Sequence, residues 1–312
     1  MTIKYLVTGG AGFIGSNIVA ALVARGERVR VLDDLSTGKE ANLASCRDKV
    51  EFIKGDIRDE RTCAAAMKGI QFVLHQAALR SVPRSVDDPL STDEVNVHGS
   101  LVVLQAARTA GVKRLVYASS SSAYGDNPAL PKVESMTPMP RSPYAVSKLT
   151  AEYYCRVYTQ TFGLSTVSLR YFNVYGPGQD PMSQYAAVIP LFMAAVKSGQ
   201  PATIHGDGEQ SRDFTYIDDC VQANLLACTT PGVDGEVFNI AYGARTTVNQ
   251  IYHGICKLLG RTIAPNYAPP RAGDVLHTLA DLTKARERLG YRPQTDINSG
   301  LDKTVRWFVA GC

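Results

Sequence analysis

The sequence predicts an α/β fold: a doubly wound parallel sheet with a smaller C-terminal α/β substrate-binding part. Three observations carry this. Short β-branched runs alternate with segments of helical period, a glycine cluster stands between the first strand and the first helix, and the pattern turns to Pro, Gly and polar turns after Gly176-Pro177-Gly178. Residues 4–8 read as a strand, 13–25 as a helix and 28–32 as a second strand, which together make a βαβ unit. Further strands are expected at 50–53, 71–75, 114–118 and 165–169, with helices at 99–109 and 147–161 between them. The first domain is placed at 1–175 and the second mainly at 176–312, with a strand near 237–241 returning to the first domain's sheet. No internal repeat or low-complexity tract interrupts this order.

Composition narrows the class. A chain of 312 residues with 45% hydrophobic content can bury a full core, which excludes disordered and fibrous architectures. Lys+Arg 33 against Asp+Glu 29 leaves +4, a near-balanced surface that implies neither a nucleic-acid nor a membrane partner. The seven cysteines are odd in number and contain no C-x-x-C pair, and the five histidines are scattered. Neither a disulfide framework nor a metal site is therefore expected, and a reducing cytoplasm fits best. No signal-peptide pattern opens the sequence, and no apolar run approaches the length of a membrane span.

Thr8-Gly9-Gly10-Ala11-Gly12-Phe13-Ile14-Gly15 lies between the first strand and helix, and Gly10, Gly12 and Gly15 fit G-x-G-x-x-G. In the Rossmann arrangement the first glycine permits the tight turn, the second lets backbone approach a pyrophosphate, and the third lets the helix pack closely. The helix N-terminus adds amides and a positive dipole end. Asp33-Asp34 closes the second strand, where an acid meets the adenine ribose hydroxyls and repels a 2′-phosphate, so NAD is favoured over NADP. A glycine-rich turn without cofactor is the alternative. Asp56, with Ile57, stands where it could contact the adenine, and on local grounds it could equally be a capping or turn aspartate.

Tyr144 and Lys148 follow Pro143 at the start of a helical pattern, four residues apart and hence on one face, which puts the ammonium near the phenol. A neighbouring cation lowers a phenol towards the working range of a general base. Y-x-x-x-K alone usually marks an amphipathic surface. Here Ser119-Ser120-Ser121-Ser122 ends the preceding strand at the carboxyl edge of the sheet, where ligands sit, and a hydroxyl there can relay the proton.

With these motifs the sequence resembles the extended short-chain dehydrogenase/reductases, and within them the NAD-dependent UDP-sugar 4-epimerases. The resemblance also rests on His75-Gln76-Ala77-Ala78, Asn96, Tyr124-Gly125, Leu169 to Pro177 and Gly206 to Phe214, and it runs nearly end to end. It implies Ser120, Tyr144 and Lys148 as the catalytic residues. It implies NAD held by Gly9, Gly12, Phe13, Ile14, Asp33, Asp34, Ser36, Gly38, Asp56, Ile57, Gln76, Ala77, Ala78, Asn96, Tyr144, Lys148 and Tyr171. On the substrate side it implies Ser121 and Ser122 in the sugar pocket, Asn173 on sugar or diphosphate, Arg212 and Arg271 as pyrophosphate clamps, and Asp274 on the uridine ribose. Guanidinium suits bidentate phosphate binding, although a surface ion pair is the alternative for each arginine taken singly.

The segments 77–85 (with Arg80 and Ser81) and 185–190 (with Ala187 and Val188) look most like the UDP-N-acetylglucosamine 4-epimerase-like branch. By the match of Thr278-Leu279-Ala280-Asp281, Thr278 stands where glucose-only relatives have a tyrosine, leaving room for a 2-acetamido group. Arg80 departs from that branch, where a small residue is expected; it could favour an acidic hexose or point into solvent. A homodimer through a four-helix contact is implied as well.

The expected reaction is reversible C4 epimerisation of UDP-GlcNAc/UDP-GalNAc, with UDP-glucose/UDP-galactose as plain-hexose substrates, through a 4-keto sugar. A 4,6-dehydratase would need an adjacent Asp-Glu where Ser121-Ser122 stand, and Asp93-Glu94 lies in a different segment. A reductase would consume cofactor. A non-catalytic NAD-sensing protein would have no need of the Ser, Tyr and Lys together.

Overall fold

A computed structural model describes residues 4–180, 187–270 and 275–311. Its centre is a seven-stranded sheet built from β1 (Tyr5–Thr8), β2 (Val29–Asp33), β3 (Val50–Lys54), β4 (Phe72–His75), β5 (Arg114–Ser120), β6 (Thr166–Tyr171) and β7 (Glu236–Ile240). The order is β7-β6-β5-β4-β1-β2-β3, and every pairing is parallel.

Side chains alternate across each strand, and both faces are covered. Val7, Val31, Leu74 and Val116 belong to a core under α1 (Phe13–Ala24). Their neighbours Leu6, Leu32, Val73 and Leu115 face a second core under α2 (Glu60–Ala66), α3 (Gly99–Thr109) and α4 (Pro143–Phe162). The chain leaves β1 for β2 and β3 on one side and returns to β4, β5 and β6 on the other. The crevice outside the strand ends opens at that reversal.

α4 begins four residues earlier than the apolar period alone predicts. Pro143 occupies its first turn, where a missing N–H costs nothing, and Ser142 Oγ accepts the Ala145 N–H at 3.1 Å. It ends on Gly163 in the left-handed conformation.

The second part holds α5 (Val188–Lys197), α7 (Val248–Leu258) and α8 (Ile297–Ala310) with three two-stranded ribbons. Between α5 and α7, helix α6 (Ile217–Thr229) packs on α1, β5 and β6 before β7 pairs with β6. The return to the first sheet thus includes a helix as well as the expected strand. Among the described residues no helix is long and apolar enough to cross a membrane. Cys46, Cys63, Cys155, Cys220, Cys228 and Cys256 are free and buried.

Candidate active site

A cavity of about 670 Å³ follows the carboxyl edge of the sheet from Gly9 to Thr278. At one end the glycines divide the work differently from the motif count. Gly9, not Gly10, makes the turn, with φ +66°, and a Cβ there would lie 2.6 Å from the Ala77 nitrogen. Gly10 is needed because a Cβ would meet Val31 at 2.7 Å, and Gly15 because one would lie 2.1 Å from the Gly9 oxygen. Gly12 caps α1 without a side-chain bond, the first turn carries no acid, and Phe13 and Ile14 line the cavity. This bare helix end and close backbone form a cradle that fits a dinucleotide pyrophosphate.

Asp33 ends β2 and Asp34 follows it, both on the cavity wall. Asp33 is buried; its carboxylate accepts the Ala11 and Leu35 N–H groups at 2.9 Å each, and burial pushes its pKa up against those bonds. Gly38 lies off the cavity, against Asp33, where a Cβ would come 2.9 Å from Oδ1. It shapes the loop around the acid. Asp34 accepts both the N–H and the hydroxyl of Ser36. Asp56 and the buried Ile57 line the same end. Asp56 is also a turn residue: it accepts the Arg58 N–H at 2.8 Å and pairs with its guanidinium at 2.6 Å, which holds its carboxyl below the usual range. Arg58 is shared with Glu94.

Gln76, Ala77, Ala78 and Tyr171 line the middle. Tyr171 donates its hydroxyl to Gln76 Oε1 at 3.2 Å and accepts from Asn224 Nδ2 at 2.8 Å. Asn224 carries no motif signal, because its role arises only when α6 returns to the sheet. Asn96 is buried, with its amide bonded to the Leu79 backbone (2.8 and 3.0 Å) and to Ser147 Oγ (3.0 Å), so it positions the loop after β4.

Ser120, Ser121, Ser122, Tyr144 and Lys148 meet on the cavity wall. Ser120 Oγ accepts the Ser122 N–H at 3.2 Å and lies 2.9 Å from its hydroxyl. Burial raises the Tyr144 pKa, while a hydrogen bond with Ser120 and then the charge of Arg80 pull it down. Lys148 has a backbone partner that the spacing does not show. Its ammonium donates to the Ala118 carbonyl at 2.8 Å, sits over the Tyr117 ring, and is pushed down to about 7 by burial. Arg80, on the cavity wall, contributes a charge that lowers the phenol, while Ser81 lies off that wall. Ser81 has φ +121° and caps a short helix through the Arg84 N–H at 3.3 Å, which fixes the loop that presents Arg80. His75, bonded to Thr8 and Ser100, is driven to about 3 by burial and is a neutral structural group.

At the far end Asn173 donates to the Asp213 carbonyl at 3.1 Å, and Arg212 holds its own loop through the Ser211 and Leu276 carbonyls. Thr278 Oγ1 accepts the Asp213 N–H at 3.4 Å. Asp213 itself is buried, raised to about 6, and accepts the N–H groups of Tyr242, Gly243 and Ala280, which fastens these residues together. Asn173 and Arg212 are shared with a second cavity of about 560 Å³. Ala187 and Val188 line this second cavity rather than the first, because α5 starts beyond the sugar end. Arg271 and Asp274 lie outside the described residues. Lys132 and Arg141 also line the first cavity and were not expected there. The carboxylates on its described wall are Asp33, Asp34 and Asp56, all at the glycine end.

Residues 5–241 match the NAD dependent epimerase/dehydratase family. The chain belongs to that family. It is 41% identical over 309 residues to a UDP-glucose 4-epimerase of Mycolicibacterium smegmatis, covering 98% of each chain. Its fold superposes with TM-score 0.95 and 39% identity on a UDP-N-acetylglucosamine 4-epimerase of Methanobrevibacter ruminantium solved with UDP-N-acetylmuramic acid, covering 100% of both chains. A dTDP-glucose 4,6-dehydratase of Streptomyces venezuelae solved with NAD gives 0.92 at 35% identity, covering 99% of this chain and 98% of that one. The family thus spans two outcomes on one fold, and the side chains of the cavity must decide between them.

Proposed function

We propose that the protein is an NAD-dependent UDP-sugar 4-epimerase acting on UDP-GlcNAc/UDP-GalNAc, with UDP-glucose/UDP-galactose also accepted. One observation carries the reading: Ser120 and Tyr144 face a cavity whose sugar half has no carboxylate on its described wall. Proton transfer at a hydroxyl is then provided for, while the acid and base that a dehydratase applies at C5 and C6 are not. The epimerases among the relatives support the same choice.

In this reading Tyr144 Oη takes the C4 hydroxyl proton and later returns it, with Ser120 Oγ stabilising the phenolate by hydrogen bonding. NAD in the glycine cradle supplies the hydride acceptor and donor at C4. Lys148, anchored on Ala118, keeps further N–H donors towards the cavity for the cofactor ribose. Arg212 holds the diphosphate at the junction of the two cavities, so the nucleotide stays fixed while the sugar turns. The cofactor half is taken as 1–175 together with the returning segment 217–241.

Thr278 supports the N-acetylated substrates, because a threonine on this wall leaves space that a phenol ring would fill. Arg80 supports a second reading, a hexuronic acid, whose carboxylate would meet its guanidinium. An exposed apolar stripe of Val146, Tyr153 and Val157 on α4 supports the homodimer. Turnover in heavy water tests the reaction class. Epimerisation through hydride transfer keeps the substrate hydrogen at C4; solvent deuterium at C4, C5 or C6 would overturn it.

A further inference from the structure

Tyr144, Lys148 and Glu152 are spaced four apart on α4 and share one face. Lys148 meets the backbone of β5 at Ala118, and Glu152 meets the next residue of β5, accepting the Ser119 hydroxyl at 2.7 Å. Glu152 also accepts two parallel bonds from Arg170 of β6, at 2.6 and 3.0 Å. Ser119 and Arg170 are register partners, and the next pair is Ser120 with Tyr171, both on the cavity wall. The ion pair itself is buried, 4% and 3% exposed, and neither partner lines the cavity. Arg170 stacks over Tyr124 at 4.7 Å and leaves its Nη1 without a partner.

A buried pair of this kind adds little stability over apolar residues of similar volume, because desolvation offsets its attraction. What a bidentate fork does provide is geometry. Apolar contacts and the single Lys148 bond to Ala118 would let α4 pivot about that point, and such movement would carry Tyr144 away from Ser120. Glu152 ties α4 to the two strands that end in Ser120 and Tyr171.

We propose that Glu152, Arg170 and Ser119 form a positioning device that sets the helix carrying Tyr144 and Lys148 in register with the strand carrying Ser120. Glu152 and Arg170 lie off the cavity and act through Ser119, which borders it, so they are positioning residues. The inference rests on the proton-transfer reading of Tyr144.

The test is the double variant Glu152→Leu/Arg170→Met, which removes both charges at similar volume. The expected result is thermal stability close to wild type, kcat for UDP-sugar epimerisation lowered about 10- to 100-fold, and KM little changed. The tyrosinate absorbance assigned to Tyr144, by difference from a Tyr144→Phe protein, should titrate at higher pH, because the Ser120 bond is weakened. That readout needs no turnover. Its other neighbours are held constant: Arg80 and Lys148 stay in place, and Tyr117, Tyr124 and Cys155 beside the pair are unaltered. A stable double variant with wild-type kcat and wild-type Tyr144 titration overturns the inference. If the double variant does not fold, Arg170→Lys decides: it keeps the charge and loses the fork, so a folded protein should lose kcat, and wild-type kcat would overturn the proposal. Wild-type protein that titrates as described but epimerises no UDP-sugar overturns the functional reading instead.

Discussion

The ammonium of Lys148 is bonded to the carbonyl oxygen of Ala118 at 2.8 Å, so the lysine pins the catalytic helix to the strand while Ser120 and Arg80 act on the phenol of Tyr144. Two cations thus border the phenol, one held on the strand backbone and one on the loop after β4.

Burial of Lys148 predicts a pH dependence of stability. Its folded pKa, about 7, lies below the value near 10.4 of an unfolded lysine. Below pH 7 both states hold the proton and the folded protein carries the full desolvation cost. Above it the unfolded state binds more protons than the folded state, so stability rises with pH. Urea unfolding of cofactor-free protein should show wild type gaining on the order of 2 kcal/mol over Lys148→Met between about pH 7 and 9. Parallel curves for the two proteins would show that the ammonium is not buried.

The groups acting on Tyr144 predict the acidic limb of the pH–rate profile. Tyr144 must lose its proton to act as base, so turnover rises with pH through its pKa. Ser120→Ala and Arg80→Gln each remove a lowering influence and move that limb to higher pH, Ser120→Ala further. Each unit of movement lowers neutral turnover about tenfold. An unmoved limb in Ser120→Ala would mean that another group takes the proton.

Thr278 predicts the sugar. A Thr278→Tyr protein should lose UDP-GlcNAc turnover about 5- to 150-fold, the rate equivalent of about 1–3 kcal/mol of overpacking, and keep UDP-glucose turnover. Equal losses on both sugars would place the acetamido group elsewhere.

Gly9 predicts cofactor retention. Gly9→Ala drives a Cβ to 2.6 Å from the Ala77 nitrogen, whereas Gly26, also at positive φ, has open space around it. NAD bound per chain, measured after denaturing the purified proteins, should fall in Gly9→Ala and stay at the wild-type level in Gly26→Ala. Full occupancy in both would contradict the assigned cradle.

Much of this was legible in the sequence. The strands end within a residue or two of the β-branched runs, because a sheet buried on both faces demands continuous apolar segments. What escaped depends on distance. The motif count gave the turn to Gly10, since spacing alone does not show which peptide reverses. Asn96 and Gly38 belong to the family pattern yet act through Leu79 and Asp33. Asn224 and Arg170 are ordinary polar residues until Tyr171 and Glu152 are brought against them, and no local period encodes that meeting.

If Tyr144 and Ser120 interconvert the C4 epimers of a UDP-sugar, the cofactor is returned each cycle and turnover needs no reductant. Purified protein should be incubated with UDP-GlcNAc, and separately with UDP-glucose, without added reductant, and the products resolved by NMR. UDP-GalNAc should form faster than UDP-galactose with no net NADH, and folded Tyr144→Phe should lose nearly all turnover. A 4-keto-6-deoxy product, or turnover only when NADH is consumed, would contradict C4 epimerisation.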